Sequence, residues 1–276
     1  MIKKKSFILE NSDDLPIIGD LSFKNNNASK LIIFCHGYKG FKDWGCWNLV
    51  SDKFAENDLK FLKFNFSHNG GTIENPVDFP DLNSFGKNNY SIELNDVSRV
   101  IDFLLDNKDE SFKFNEINII GHSRGGGIAT LAADKYSLNK LITWASVSDF
   151  GERFPKKSDL LIWKKNGIRF VENKRTKQMM PHLFQFYEDF IINESKLNIK
   201  KSLQNFKGKS LICHGSLDQA VNISNGHNLF NWGKHTSMFK LRTNHTFGAK
   251  HPWRKKILPE DLNQICNETI RFLKEE

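Results

Sequence analysis

Short apolar runs and longer amphipathic segments follow one another along most of the chain, which is typical of a protein that contains both strands and helices. Runs rich in Ile, Leu, Val and Phe predict strands at 5–9, 17–23, 31–35, 59–66, 117–120, 141–145, 211–214 and 238–241. The first two are separated by a turn-rich segment and predict an antiparallel edge. Several of the later runs are almost wholly apolar, which is typical of strands buried inside a sheet.

Helices are predicted where apolar residues recur every three or four positions. One such helix covers residues 47–54, and Asp43 is placed to cap it. Residues 91–105 and 128–136 predict two more helices. The polar, glycine-rich stretch at 67–89 is too long for a plain connection, so we expect it to be functional or flexible.

The stretch between the sixth and seventh predicted strands is too long for one crossover connection, which takes roughly a dozen residues or more. We therefore expect an inserted cap over residues 146–209. The core would then consist of residues 1–145 and 210–276. No internal repeat or low-complexity linker divides the chain further.

Two elements are predicted inside the cap. An Asn-Gly pair at 166–167 lies between the β-rich flanks 160–163 and 168–171, which predicts a hairpin. A later helix is expected to carry apolar side chains that either line a pocket or anchor the cap to the sheet. These side chains are Phe184, Phe186, Tyr187, Phe190 and Ile191.

Composition limits the classes to which the protein can belong. A chain of 276 residues that is 39% hydrophobic can bury a full core, and α/β folds of this length commonly form one domain. The net charge of +8 comes from evenly spread lysines without a nucleic-acid motif, so we expect no nucleic-acid partner. No run is long enough to span a membrane, and the basic first residues lack the apolar stretch of a signal peptide.

The cysteines bear on the cellular location of the protein, and the histidines bear on whether it binds a metal. Cys35 and Cys213 fall on strands predicted to be internal, where free thiols pack as small hydrophobic groups. With Cys46 and Cys266 scattered elsewhere, a reducing cytoplasm is the expected location. No histidine has a metal-ligand spacing such as H-E-x-x-H, so no metal or other cofactor is expected.

The most informative segment is Gly-His-Ser-Arg-Gly at 121–125, which follows a predicted strand and precedes a predicted helix. A serine at such a corner sits on a tight turn that only small neighbours, here Gly121 and Gly125, allow. The turn exposes its hydroxyl above the sheet, so Ser123 is the candidate nucleophile. The glycines do not follow the G-x-G-x-x-G spacing of a dinucleotide-binding turn.

A serine hydroxyl is a weak nucleophile at neutral pH and needs a base that an acid orients. His245 is the candidate base and Asp218 the candidate acid, because each follows a predicted strand. His251 is a rival base after the same last strand, although it lies further from the strand end and precedes a proline. Asp149, which follows an earlier strand, is the rival acid.

Donors for an oxyanion are also predicted. The strand at 31–35 opens into His36-Gly37, where glycine lets a backbone amide point into a cavity. The amides of Tyr38 and Arg124 are the candidate oxyanion pair. The Arg124 cation opposes the helix dipole, so we expect either an acid partner, for which Asp149 is the candidate, or an anionic ligand.

These segments together resemble the α/β-hydrolase superfamily. Within it they are most similar to carboxylesterases related to cinnamoyl or feruloyl esterases and to serine aminopeptidase-like hydrolases. The resemblance extends from about residue 30 to the C-terminus and rests on segments 36–38, 121–126, 214–218 and 244–247. It implies a mostly parallel central sheet flanked by helices, with a small inserted cap and a triad in the chain order Ser, Asp, His.

The resemblance implies a serine hydrolase, and a carboxylesterase on small or medium esters is the first expectation. A peptidase or amidase uses the same triad but needs an acid near the cleft to hold a substrate amine. Candidates for that acid are Glu172, Glu188 and Asp189. A non-catalytic ligand-binding protein of this fold is the remaining alternative. The basic composition and His68 hint at polar or anionic substrates.

Overall fold

The structure is a computed structural model that describes residues 1–11 and 13–275. Ser12, in the predicted edge turn, and Glu276, at the end of the predicted core, lie outside the described residues. The strands are β1 (Lys3–Glu10), β2 (Pro16–Phe23), β3 (Lys30–Cys35), β4 (Lys60–Phe64), β5 (Glu116–His122), β6 (Lys140–Trp144), β7 (Ile168–Asn173), β8 (Gln178–Leu183), β9 (Lys209–Gly215) and β10 (Thr236–Leu241). The α-helices are α1 (Trp47–Glu56), α2 (Leu82–Gly86), α3 (Tyr90–Asp106), α4 (Arg124–Lys135), α5 (Ser158–Asn166), α6 (Gln185–Ile192), α7 (Ile199–Asn205), α8 (Ile223–Trp232) and α9 (Glu260–Lys274).

Eight strands form the central sheet in the order β1-β2-β4-β3-β5-β6-β9-β10. β2 pairs antiparallel with β1 and with β4, whereas the other pairs in this sheet are parallel. Parallel neighbours need a crossover connection, and helices supply it. The predicted antiparallel edge and the mostly parallel sheet flanked by helices are confirmed.

The side chains of β3 explain why the sheet is covered on both faces. Ile33 packs in one apolar cluster, whereas its neighbours Ile32 and Phe34 pack in another, because successive strand residues point to opposite faces. All three side chains are fully buried. Helices α3 and α4 contribute to the first cluster, and α1 and α9 contribute to the second. None of the helices in the described residues combines the length and the apolar character that crossing a bilayer requires.

Helix α1 begins at Trp47, as the sequence predicted, but Asp43 does not cap it. Cys46 occupies the N-cap position and makes no side-chain capping bond. Asp43 instead pairs with Lys42 and Lys63, which both also pair with Asp20. We call these four residues the lysine–aspartate cluster. The Lys63 side chain is only 1% exposed. A buried ammonium without carboxylate partners costs more free energy than a helix N-terminus without a side-chain cap, so Asp43 pairs with the lysines instead.

The segment between β6 and β9, residues 146–209, contains α5, the β7–β8 hairpin, α6 and α7, and we call it the insertion. The predicted hairpin around residues 166–167 is wrong in its position. Residues 158–166 form α5, and Gly167 ends that helix in a left-handed conformation with φ of 71°. An Asn-Gly pair suits a helix end as well as a hairpin turn, which explains the error. The hairpin turn instead lies at residues 174–177, while the predicted later helix is present as α6.

The long connection at 67–89 contains α2 and begins with a buried polar cluster. Ser67 donates from its amide and its hydroxyl to Asp96 on α3, each over 2.8 Å. Asn11 donates to the Ser67 hydroxyl over 2.9 Å, and His68 is buried beside it. These bonds attach the start of the connection to α3 and to the end of β1.

Candidate active site

Ser123 lies at the corner between β5 and α4. Its φ of 57° and ψ of −121° are strained for a residue with a side chain. The glycines on either side permit the turn, because a Cβ on Gly121 would lie 2.2 Å from the Gly125 carbonyl oxygen, and one on Gly125 would lie 2.3 Å from the Cys35 carbonyl oxygen. The Ser123 side chain makes no capping bond to α4. The strained turn therefore presents the hydroxyl to the neighbouring cleft.

Asp218 and His245 meet at the ends of β9 and β10. His245 Nδ1 lies 2.7 Å from Asp218 Oδ2. The other carboxylate oxygen of Asp218 accepts the amides of Ala220 and Val221 over 2.8 and 2.9 Å. Burial acts to raise the pKa of Asp218, but the bonds from His245 and the two amides outweigh it and leave the pKa below its ordinary value. Asp218 is thus held as a carboxylate.

Ser123 and His245 line the same cleft, whose volume is about 440 Å³. They also line a smaller neighbouring pocket of about 160 Å³, together with Trp44 and Trp47. The residue types for base-assisted attack by a hydroxyl therefore come together at one place. They come from three separate strand ends that the parallel sheet brings to one edge.

The two rival residues lie in other environments. Asp149 accepts the amide of Gly151 over 2.6 Å and is exposed. His251 accepts the amide of Gly45 over 2.9 Å, with its ring edge-on to Phe41. In the structure, Asp218 and not Asp149 bonds His245.

Three further histidines, each beside a glycine at a strand end, bind backbone groups. His122 Nε2 lies 3.0 Å from the His245 carbonyl oxygen, and His214 Nε2 lies 2.9 Å from that of Val221. His36 Nδ1 lies 3.0 Å from the Gly37 carbonyl oxygen. Burial lowers the pKa of His122 to about 3 and that of His36 to about 4, so both rings are neutral at pH 7. Through its bond, His122 holds the backbone that carries His245.

The candidate oxyanion residues both border Ser123. A Cβ on Gly37 would lie 2.9 Å from the Ser123 Cβ, which shows how closely the loop after β3 approaches the serine. Tyr38 follows in that loop, and Arg124 is the first residue of α4. The Tyr38 hydroxyl lies 2.7 Å from His182 Nε2 on β8. This bond joins the loop to the insertion.

Arg124 does not pair with Asp149, contrary to the expected partner. Its guanidinium contacts Glu93 Oε1 over 3.1 Å, and both side chains are largely buried. Glu93 belongs to the first turn of α3, which packs beside α4 and so brings the carboxylate to the cation. The guanidinium also lies over the rings of Tyr38 and Tyr90, at 4.6 and 5.3 Å. This buried ion pair compensates the unfavourable position of a cation at a helix N-terminus.

The aromatic side chains of α6 divide between the two expected roles. Phe186 lines the cleft and also packs in the core cluster, whereas Phe190 and Phe184, which directly precedes α6, pack in that cluster without lining the cleft. Ile191 is exposed. Tyr90 of α3 stacks on Phe150 with centroids 4.0 Å apart, which anchors the insertion next to the cleft.

The residues that line the cleft and escaped the sequence analysis include Lys39, Arg153, Arg169 and His182. Arg169 and His182 lie on the β7–β8 hairpin, which the sequence placed too early, so their directions could not be inferred. His68, by contrast, does not line the cleft. Burial, followed by the nearby Arg124 and Arg169 cations, lowers the pKa of His182 to about 3. The cleft therefore carries positive charge on Lys39, Arg153 and Arg169, which the sequence analysis did not identify, as well as on Arg124, which it did.

Comparisons with known proteins agree on the fold. No family model matches the chain. A Mycoplasma genitalium protein named "Putative esterase/lipase 2" is 26% identical over 186 residues, which are 66% of this chain and only 55% of that protein. Est1E from Butyrivibrio proteoclasticus with ferulic acid bound superposes with a TM-score of 0.73 at 16% identity, over 97% of both chains. Dienelactone hydrolase from Anabaena variabilis gives 0.63 at 14%, over 98% of this chain and 97% of that one. The chain has the α/β-hydrolase fold, as its resemblance implied.

Proposed function

We propose that the protein is a serine hydrolase that acts through an acyl-enzyme, with small or medium carboxylic esters as its small-molecule substrates. The observation that carries the proposal is the 2.7 Å contact between Asp218 and His245 in a site that also holds Ser123 on a strained turn. The similarity to the Mycoplasma protein, which is named as an esterase/lipase, supports the same activity. The fold shared with Est1E, which has been solved with ferulic acid bound, agrees with it.

In the proposed reaction, His245 Nε2 takes the proton of the Ser123 hydroxyl as its oxygen attacks the ester carbonyl carbon. Asp218 accepts a hydrogen bond from Nδ1, which keeps the tautomer whose Nε2 is free to act as base. The imidazolium then protonates the leaving alcohol, and the same ring activates water to hydrolyse the acyl-serine.

The amides of Tyr38 and Arg124 would stabilise the negative oxygen of the tetrahedral intermediate. Loss of one such donor typically slows the reaction about 10²–10³-fold. Only a neutral imidazole can accept the proton of the serine hydroxyl. The lowered pKa of Asp218 keeps this carboxylate ionised throughout the neutral range.

The alternative peptidase would need an acid in the cleft to hold the amine of its substrate. No carboxylate side chain is among the described residues that line the cleft. Glu172 and Glu188 are exposed, and Asp189 accepts a hydrogen bond from Ser91 over 2.8 Å. These positions favour an ester substrate over a peptide with a free N-terminal amine. A cytoplasmic location is part of the proposal, because the four cysteines are free and buried.

The test is mass spectrometry after treatment with a fluorophosphonate, combined with hydrolysis of short p-nitrophenyl esters and aminoacyl p-nitroanilides. We expect the wild type to be labelled on Ser123 and to hydrolyse the esters, and Ser123→Ala to lose both properties. Ser216→Ala, an exposed serine two residues before Asp218, is the matched control and should keep both. A preference for anilides would instead support the peptidase. A folded wild type that neither reacts nor hydrolyses would leave a non-catalytic binding protein.

A further inference from the structure

The wall of the cleft carries four cationic side chains: Lys39, Arg124, Arg153 and Arg169. Among the described residues, only Arg124 has a carboxylate within ion-pair distance, which is that of Glu93. Lys39 lies 3.5 Å from the Glu172 backbone carbonyl oxygen and 5.1 Å from the centroid of the Tyr38 ring, and it also interacts electrostatically with the Glu172 carboxylate. Arg153 and Arg169 therefore border the cleft without a carboxylate partner in the described part of the chain.

Arg169 is also held in a defined orientation. Its guanidinium lies over the Trp163 ring at 5.1 Å from the centroid. A guanidinium stacked on an indole keeps its N–H edge available, and that edge matches the two oxygens of a carboxylate or phosphate group. Half-buried Arg169 is therefore better prepared for an anion than a fully solvated arginine would be.

The remaining wall of the cleft limits what else the ligand can contain. Phe150, Phe154, Trp163 and Phe186 line it, so hydrocarbon between the anionic group and the reacting ester would be buried against rings. The smaller pocket shares Tyr38, Lys39, Ser123 and His245 with the cleft but has a volume of only about 160 Å³ and none of the arginines. This pocket suits the shorter half of the same ester.

Bringing like charges together is unfavourable unless a ligand compensates them. Cations that line the same cleft repel one another, and salt weakens the effect. An anionic substrate would relieve this repulsion when it binds, whereas a cationic substrate would increase it. The charges also attract an anion to the cleft before contact.

We propose that the physiological ester carries an anionic group, a carboxylate or a phosphate, and that Arg169, with Arg153 and Lys39, binds this group on the insertion side of the cleft. The proposal rests on the proposed esterase function and specifies its substrate class. The anionic arm lies in the large cleft, and the shorter arm lies beside Trp44 and Trp47.

The experiment compares matched esters that differ only in their terminal group. One series is the methyl ester of an eight-carbon acid that ends in a carboxylate, a phosphonate, a carboxamide or a trimethylammonium group. A second series attaches the same groups to the alcohol of an acetate ester. Proton release gives kcat/KM for each compound. In one of the two series, we expect kcat/KM of the anionic esters to exceed that of the carboxamide ester at least about tenfold, since a charged hydrogen bond contributes about 1.5–3 kcal/mol. The trimethylammonium ester should be the slowest.

Variants connect this preference to the arginines. Arg169→Gln and Arg153→Gln should each lower the ratio of anionic to carboxamide kcat/KM by about tenfold, and Arg169→Lys should restore part of it. The matched control is Arg175→Gln, because Arg175 belongs to the same insertion but pairs with Asp78 outside the cleft. The ratio in the control should stay at the wild-type value. The ratio of anionic to carboxamide kcat/KM is compared between the carboxylate and phosphonate esters. The anion with the larger ratio is the one that the site binds.

The outcomes separate this proposal from the esterase function itself. Equal kcat/KM for anionic and carboxamide esters in both series would overturn the anionic specificity while leaving the esterase intact. A preference that survives in Arg169→Gln and Arg153→Gln would overturn the assigned residues. If no ester in either series is hydrolysed and Ser123 is not labelled by the fluorophosphonate, the esterase function fails, and the substrate class fails with it.

Discussion

The buried lysines of the core differ from the arginines that line the cleft from the insertion in the partners that they have. In the core, Lys63 is buried between Asp20 and Asp43, and the Lys140 ammonium donates to the Phe272 carbonyl oxygen over 2.9 Å. In the insertion, Arg153 and Arg169 lie at the wall of the cleft without a carboxylate partner in the described part of the chain. Paired charges in the core satisfy each other and support the fold. The unpaired charges in the insertion are available to a ligand.

This difference suggests a division of work between the two regions. The candidate nucleophile, base and acid all follow core strands, and their backbone is held by glycine contacts and buried histidines. On the proposed function, the insertion supplies side chains that surround the substrate but do not react with it. Changes in the core should therefore abolish the reaction or unfold the protein, whereas changes in the insertion should alter which ester is used.

The largest expected effect is the loss of the acid in the core. Asp218→Asn should lower kcat by about 10⁴-fold, because an amide cannot hold His245 in the tautomer that accepts the serine proton. Asp149→Asn, which changes the rival acid in the insertion, should stay within about twofold of the wild type. Steady-state kinetics at saturating ester tests both, with urea unfolding as a check on folding. A large loss in Asp149→Asn with little change in Asp218→Asn would reverse the assignment.

The fold and the candidate site differ in how far the sequence could predict them. Each strand end that carries Ser123, Asp218 or His245 has an apolar run before it and small or polar residues after it, so local pattern alone locates it. The walls of the cleft could not be inferred in this way. The direction of Arg169 depends on where the hairpin turns, and the Asn-Gly pair before it ends a helix instead. The Arg124–Glu93 pair depends on how α3 packs beside α4, which no local pattern specifies.

The second expected effect tests whether paired and unpaired charges contribute differently to stability. Lys63→Met leaves Asp20 and Asp43 with one lysine instead of two, and this loss should lower the free energy of unfolding by about 3 kcal/mol. Arg169→Gln removes a cation that has no ion-pair partner among the described residues. It should change the free energy of unfolding by less than about 0.5 kcal/mol. Urea unfolding at pH 7 measures both. Similar values for the two variants would remove the contrast between the core and the insertion.

Asp96 provides the most specific test, because it is a core carboxyl group that lacks an ion-pair partner in the described residues. Burial raises the pKa of Asp96 to about 7, although hydrogen bonds from Ser67 act in the opposite direction. The folded protein therefore keeps the Asp96 proton at pH values where the unfolded chain has already lost it. Its stabilising contribution is fully present below about pH 4, declines by about 1.4 kcal/mol per pH unit, and is lost above about pH 7.

Asp96→Asn removes this titration while keeping a polar group beside Ser67. The free energy of unfolding of the wild type, taken relative to Asp96→Asn, should therefore be lower at pH 8 than at pH 5. Asp102→Asn, an exposed position on the same helix, is the control for the change from carboxyl to amide and should shift stability by less than about 0.5 kcal/mol. An equal difference between wild type and Asp96→Asn at both pH values would mean that this carboxyl group is ionised in the fold. The core would then tolerate an unpaired charge, and the absence of partners for Arg153 and Arg169 would no longer set the insertion apart.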